Sequence, residues 1–164
     1  MTATRSSGAP SGASTTSGRE LTIVRTFDAP PELVYRAWTE PEHLSRWSAP
    51  HGFTITHCEG DARPGGTWRC CMRAPEGADL WVGGVYREVV RNERLVFSHA
   101  WEGDDGRPGH ETLVTVTLKP SGTGTEMTFQ QGVFDSRESR DGHQGGWTQC
   151  FERLVERLGE VSRA

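Results

Sequence analysis

Between residues 20 and 134 apolar side chains recur mostly at every second position, and between 147 and 158 they recur at helical spacing. The first rhythm predicts strands and the second a helix, because side chains alternate along a strand and return every three to four residues on a helix. Seven strands follow. Residues 20–27 alternate Leu21 and Ile23 with Thr22, Val24 and Thr26. The second spans 52–61. The third, 67–74, sets Trp68, Cys70 and Met72 against Arg69, Cys71 and Arg73. The fourth, 79–91, is interrupted by Gly83-Gly84, which predicts a bulge or sharp bend. In 94–101 the side chains of Leu95, Phe97, His99 and Trp101 share a face. In 112–119 Val114, Val116 and Leu118 oppose Leu113, Thr115 and Thr117. The last strand is 125–134. Short turns rich in Gly, Pro, Asp and Ser separate the last six, so they form an antiparallel meander.

Two stretches are helical. In 28–47, Asp28 is placed to cap a first helix, and Pro30 or Pro31 fits its first turn, where no backbone N–H is needed. Val34, Ala37 and Trp38 share its inner face. Thr39-Glu40-Pro41 stops it, since the residue before a proline avoids the α region. A second short helix then carries Leu44 and Trp47. Near the end, 144–160 is a long amphipathic helix with Trp147, Cys150, Phe151, Leu154, Val155 and Leu158 in one stripe. It alone is long enough to cover the apolar face of the sheet. The fold class is therefore α+β: a curved antiparallel sheet covered by a C-terminal helix, with two short helices after the first strand.

Length and composition narrow this picture. With 164 residues a single domain is expected, over 20–161. Residues 1–19 are almost entirely Ser, Thr, Gly, Ala and Pro and are expected to be a disordered leader. The net charge of −4 and the lack of a basic run exclude nucleic acid as a partner. No apolar run reaches the roughly 20 residues that span a bilayer, and no signal peptide is present, so a cytoplasmic protein is expected. The cysteines are 58, 70, 71 and 150, without a CxxC, and are read as reduced buried thiols. His57 and Cys58 point to opposite strand faces, as do Cys70 and Cys71, so too few ligands converge for zinc. No cofactor and no metal are expected, and no nucleophile elbow, Walker loop, dinucleotide fingerprint or HExxH occurs.

Five motifs stand in order along the chain: FDAP with ELVYRAWTEPEHLSRW, ARPGGTW at 62–68, GVYREVV at 84–90, ERLVF at 93–97 and GHQGGW at 142–147. The ordered set resembles the heat-shock-protein-90 ATPase-activator homologue family, within the START and birch-pollen-allergen-like (SRPBCC) superfamily. The resemblance spans about 20–160 and implies the helix-grip fold. It also implies a chaperone among the partners and a part in the stress response.

A helix laid across a bent sheet leaves a gap, which is the default ligand site. The expected lining is Trp68, Cys70, Met72 and Tyr86, then Phe97, His99 and Trp101, then Met127 and Phe129, closed by Trp147 and Phe151. The alternative is that these residues simply fill a core. His99 is either a hydrogen-bonded core histidine or the polar handle of the gap. Glu59 and Glu88 are placed at the surface by strand alternation, His51 and His110 in loops, and His143 at the surface or as a cap. Gly65-Gly66 and Gly145-Gly146 read as turn and helix-entry glycines. The leading expectation is a binding protein for a hydrophobic or aromatic small molecule. Two alternatives follow from the resemblance: a regulator of a chaperone ATPase, and a cyclase- or aromatase-like enzyme using His99, Tyr86 and Glu88. A homodimer through an exposed sheet edge is a further expectation, with Val96 and Ala100 on the open convex side.

Overall fold

The computed structural model describes residues 12–163. Strands run over Gly12–Ser17 (β1), Glu20–Phe27 (β2), Thr54–Gly60 (β3), Thr67–Arg73 (β4), Asp79–Val90 (β5), Arg94–Trp101 (β6), Thr112–Ser121 (β7) and Gly124–Gly132 (β8). Helices run over Pro31–Thr39 (α1), Pro41–Trp47 (α2) and Arg137–Arg163 (α3). All strand pairs are antiparallel, in the order β1-β2-β8-β7-β6-β5-β4-β3. The seven expected strands and three helices are all present. The strand β1 is additional: within the stretch read as a leader, Gly12–Ser17 pairs with β2, and residues 1–11 lie outside the described residues. Its backbone groups match those of a neighbouring edge, which composition does not report.

Alternation places the core. On β7 Val114, Val116 and Leu118 are buried while Leu113 is exposed. Leu21 and Ile23 of β2 face inward beside Met127 and Phe129 of β8. The sheet grips α3 through Phe151, Leu154 and Leu158, all buried. Phe129 and Phe151 meet edge to face at 5.3 Å.

Four expectations are corrected. First, α1 is not capped by Asp28: Pro30 is the N-cap residue and no side chain caps the helix. A proline's fixed φ starts the helix without help from a side chain. Second, α3 begins at Arg137, ahead of the expected 144, so Gly145 and Gly146 are interior rather than entry residues. The start signal is Ser136, whose Oγ accepts the Ser139 N–H at 3.0 Å, the geometry of an N-cap three residues before its partner. Third, Val155 is exposed and leaves the apolar stripe. Fourth, Val96 and Ala100 are buried rather than open on the convex side. Val96 lies opposite Glu88, whose carboxylate pairs with Arg94 at 2.9 Å beside it.

Gly83-Gly84 has a different role from a register shift, which falls between Tyr86 and Glu88. A Cβ at Gly84 would stand 1.9 Å from the Ser98 carbonyl oxygen. Only glycine permits that approach. With the ladder open there, side chains take up its groups. The Trp68 indole N–H reaches across to the Ser98 carbonyl at 3.1 Å, and Ser98 Oγ accepts the Val85 N–H at 2.8 Å.

Candidate functional site

The sheet wall from β3 to β6 and the first half of α3 enclose a cavity of about 440 Å³. Helix α2 and the 48–55 segment close one side through Leu44, Pro50, Phe53 and Ile55. From α3 the lining residues are Ser139, Gly142, His143, Gly146, Trp147 and Cys150, a stripe at helical spacing in which small residues predominate. A Cβ at Gly142 would meet no atom within 4 Å. The space therefore exists partly because two glycines and a serine stand where a core helix would carry large side chains.

Eight of the eleven residues expected around the gap line this cavity: Trp68, Cys70 and Met72 from β4, Tyr86 from β5, Phe97, His99 and Trp101 from β6, and Trp147 from α3. Met127, Phe129 and Phe151 do not. They are fully buried in the solid core under α1, where Phe129 lies 6.1 Å from the Trp38 ring and the Trp38 N–H points at Met127 Sδ at 3.3 Å. Trp38 closes the space between them and the cavity. Glu88 stands outside, paired with Arg94.

The polar groups of the cavity divide into satisfied and unsatisfied ones. Trp101 donates its indole N–H to His143 Nε2 at 2.9 Å, and His143 Nδ1 stands 2.8 Å from the Ser139 carbonyl. An indole nitrogen only donates, so Nε2 accepts and the proton sits on Nδ1. His143 is thus a wall residue rather than a surface or capping one. Trp147 donates to Gln131 Oε1 at 2.8 Å, and Gln131 Nε2 donates to Thr112 Oγ1 at 2.9 Å. Thr112 Oγ1 in turn donates to the His99 carbonyl at 3.3 Å. This buried relay fixes the Trp147 ring from the sheet side. Gln131 was not singled out by sequence, since an inward-facing glutamine on a strand has no spacing signature.

His99 and Tyr86 differ. His99 is 6% exposed and Tyr86 5% exposed, and neither side chain makes a hydrogen bond to another residue among the described residues. Aromatic rings surround His99: Trp68 at 5.8 Å, Trp101 at 5.6 Å, His143 at 5.9 Å and Trp147 at 6.2 Å. Burial, with the neighbouring His143 as a second cause, pushes the His99 imidazole down to about 3. Burial likewise pushes the Tyr86 hydroxyl well above the usual phenol range, with Cys70 next in weight. Both groups are therefore neutral near pH 7. Tyr86 is held from behind, because its backbone N–H and C=O pair with Gly66 and Gly65 of the 61–66 turn, both at 2.8 Å. His99 sits two residues beyond Phe97, the strand partner of Tyr86, so the two polar tips are diagonal neighbours on one face.

The family model for Activator of Hsp90 ATPase homolog 1-like proteins matches residues 28–159. The chain belongs to this family. Solved structures agree with it over most of the chain. A protein from Chromobacterium violaceum is 31% identical with a TM-score of 0.78, over 85% of this chain and 96% of its own. One from Nitrosomonas europaea is 28% identical with a TM-score of 0.75, over 88% and 97%. An AHSA1 protein from Silicibacter pomeroyi is 25% identical with a TM-score of 0.79, over 87% and 99%. Among curated proteins no match is found. For this Activator of Hsp90 ATPase homolog 1-like chain the helix-grip architecture is thus shown twice, by its own coordinates and by its relatives. No helix among the described residues is long and apolar enough to cross a membrane.

Proposed function

We propose that the protein binds a hydrophobic or aromatic small molecule between the sheet and the first half of α3. The observation that carries this reading is the pair His99 and Tyr86, two buried polar side chains that bond no other residue among the described residues and line one largely apolar cavity. An unmet buried polar group costs about 1–3 kcal/mol, and a ligand carrying a donor and an acceptor offsets that cost. Neutral His99 offers one acceptor and one donor, and Tyr86 offers a hydroxyl. The ligand that fits is a flat apolar body with one or two uncharged polar atoms, such as a phenol or ketone on a ring system. An anionic ligand is disfavoured, since among the described residues no Lys or Arg lines the cavity while Glu59, expected at the surface, does.

Four tryptophans border the cavity, so their fluorescence reports its contents. Titrating a flavonoid should quench emission saturably and raise Tm. Gly142→Leu, which fills the space from the helix side, should abolish both effects while the protein stays folded. If flavonoids, fatty acids and polyketide aromatics all leave emission and Tm unchanged, the reading fails. A second reading, regulation of a chaperone ATPase, rests on membership of the family. An unchanged chaperone ATPase rate with saturating protein removes it. Of the three residues expected to serve turnover of a cyclase type, His99 and Tyr86 line the cavity and Glu88 stands outside it.

A further inference from the structure

The cavity wall itself holds a second chemical feature, independent of any ligand. Cys58 on β3 and Cys70 on β4 are direct partners across the antiparallel pair. Residues so paired project from the same face, while Cys71, one position on, projects from the other face opposite His57. The two sulfurs are 2.6 Å apart, and both cysteines are free thiols. A disulfide S–S bond is about 2.05 Å long, so closing it asks for a shift of only about half an ångström. Cross-strand partners also bring the Cβ atoms within about 4.5–5.5 Å, near the reach of a disulfide.

The two thiols are not equivalent. Cys58 is half-buried and open to small solutes, whereas Cys70 is 6% exposed and lines the cavity. The hydrogen bond between them holds the Cys58 thiol below its usual range and pushes the Cys70 thiol above, with burial adding to the second. That is the division of labour expected of an attacking and a resolving thiol, since the thiolate is the nucleophile. Metal binding is the weaker use of this pair. Two sulfurs fall short of the four ligands of a structural zinc site, and among the described residues no group of three or more potential ligands gathers.

We propose that Cys58 and Cys70 are a redox-active dithiol that a small hydroperoxide closes to an intramolecular disulfide. The Cys58 thiolate attacks one peroxide oxygen, the O–O bond breaks, and Cys58 becomes a sulfenic acid while the other oxygen leaves as water or an alcohol. Cys70 sulfur then attacks Cys58 sulfur, its proton goes to the departing hydroxyl, and water is released. With hydrogen peroxide two thiols and one peroxide give one disulfide and two waters, so sulfur is oxidised and oxygen reduced. An external dithiol reverses the step. Because Cys70 is also a wall residue, the bond ties the edge strand β3 to the cavity lining.

The test treats the reduced full chain with one equivalent of hydrogen peroxide, alkylates the remaining thiols and maps the peptides. The expected product has lost two hydrogens, carries a Cys58–Cys70 crosslink, and has Cys71 and Cys150 alkylated. A dithiol reductant restores all four thiols. Cys70→Ser should stop at a sulfenic acid on Cys58, trapped by dimedone. Cys58→Ser should slow oxidation of Cys70 by at least about tenfold, because the buried thiol is poorly ionised. The proposal is overturned if Cys58 runs on to sulfinic acid with Cys70 still alkylated. It is equally overturned if both stay alkylated under an exposure that oxidises free cysteine, or if the crosslink uses Cys71 or Cys150.

Discussion

The two halves of α3 present residues to the sheet at the same spacing and end in opposite packing. In the second half Phe151, Leu154 and Leu158 are buried to 4% exposure or less where α3 packs on α1, α2 and β2, with the Phe151 ring against Phe129 of β8. In the first half Ser139, Gly142 and Gly146 leave a cavity of about 440 Å³, with His143 and Trp147 on its rim. One amphipathic helix thus serves as core at one end and as a lid frame at the other. Side-chain volume sets the difference, because close-packed interiors leave no such space unless small residues create it.

The comparison is broken most severely from the solid end. Phe151→Ala should cost roughly 3–5 kcal/mol by denaturant unfolding, because the hole it leaves among Trp38, Trp47 and Phe129 has nothing to fill it. A cost below 1 kcal/mol would show that this end is as hollow as the other.

Gln131→Leu tests the joint between the halves. It strands the Trp147 indole N–H and removes the donor to Thr112 Oγ1, which keeps its own bond to the His99 carbonyl, and should cost roughly 1–3 kcal/mol. Trp147 fluorescence should shift as its ring loosens. Unchanged stability and emission would mean that the relay positions nothing.

His99→Phe sharpens the picture through pH. The unfolded histidine takes up a proton near 6.5, whereas the folded one resists until about 3. The unfolded state therefore binds more protons in that window, and stability falls as pH drops through it. His143 on α3 is the titratable group facing His99 and acts in the same direction. His43, also held low by burial and by Arg157, adds the same sign elsewhere and is common to both proteins. Replacing His99 by Phe should leave Tm at pH 7 unchanged or raised and make its decline between pH 6.5 and 4 shallower. Parallel profiles for the two proteins would remove His99 from the acid limb.

Gly142→Ala carries the smallest effect and the opposite sign. In open space on a helix interior the added methyl should stabilise by about 0.5–1 kcal/mol. If Tm falls, the helix at 142 is not free on the cavity side.

Much of this was readable along the chain. Period-two alternation marked β2 to the residue, because a strand with one buried face imposes its pattern directly on side-chain polarity, and β6 lies where expected although both its faces are buried. Glu40, extended at φ −96° and ψ 121° before Pro41, separates α1 from α2 as the proline rule requires. Eight cavity residues were legible from their strand face or helix stripe. The glycines of α3 misled, since Gly-Gly reads locally as a break, while Ser136 and the packing of the sheet hold 137–163 as one helix.

What lay beyond local pattern depended on distance in the chain. Period-two alternation puts Phe129 and Phe97 on inward faces alike, and only the position of Trp38, brought from α1, decides that one is core and the other cavity wall. His143 becomes a wall residue because Trp101, 42 positions away, donates to it. The Gln131 relay joins residues of β6, β7, β8 and α3. Cys58 and Cys70 meet because the β3–β4 register aligns them, and a slip of one residue would turn one thiol to the other face. Element type follows from near neighbours along the chain, whose polarity pattern selects strand or helix. Which inward side chains enclose space and which fill it follows from the volumes and hydrogen bonds of residues that only the folded sheet brings together.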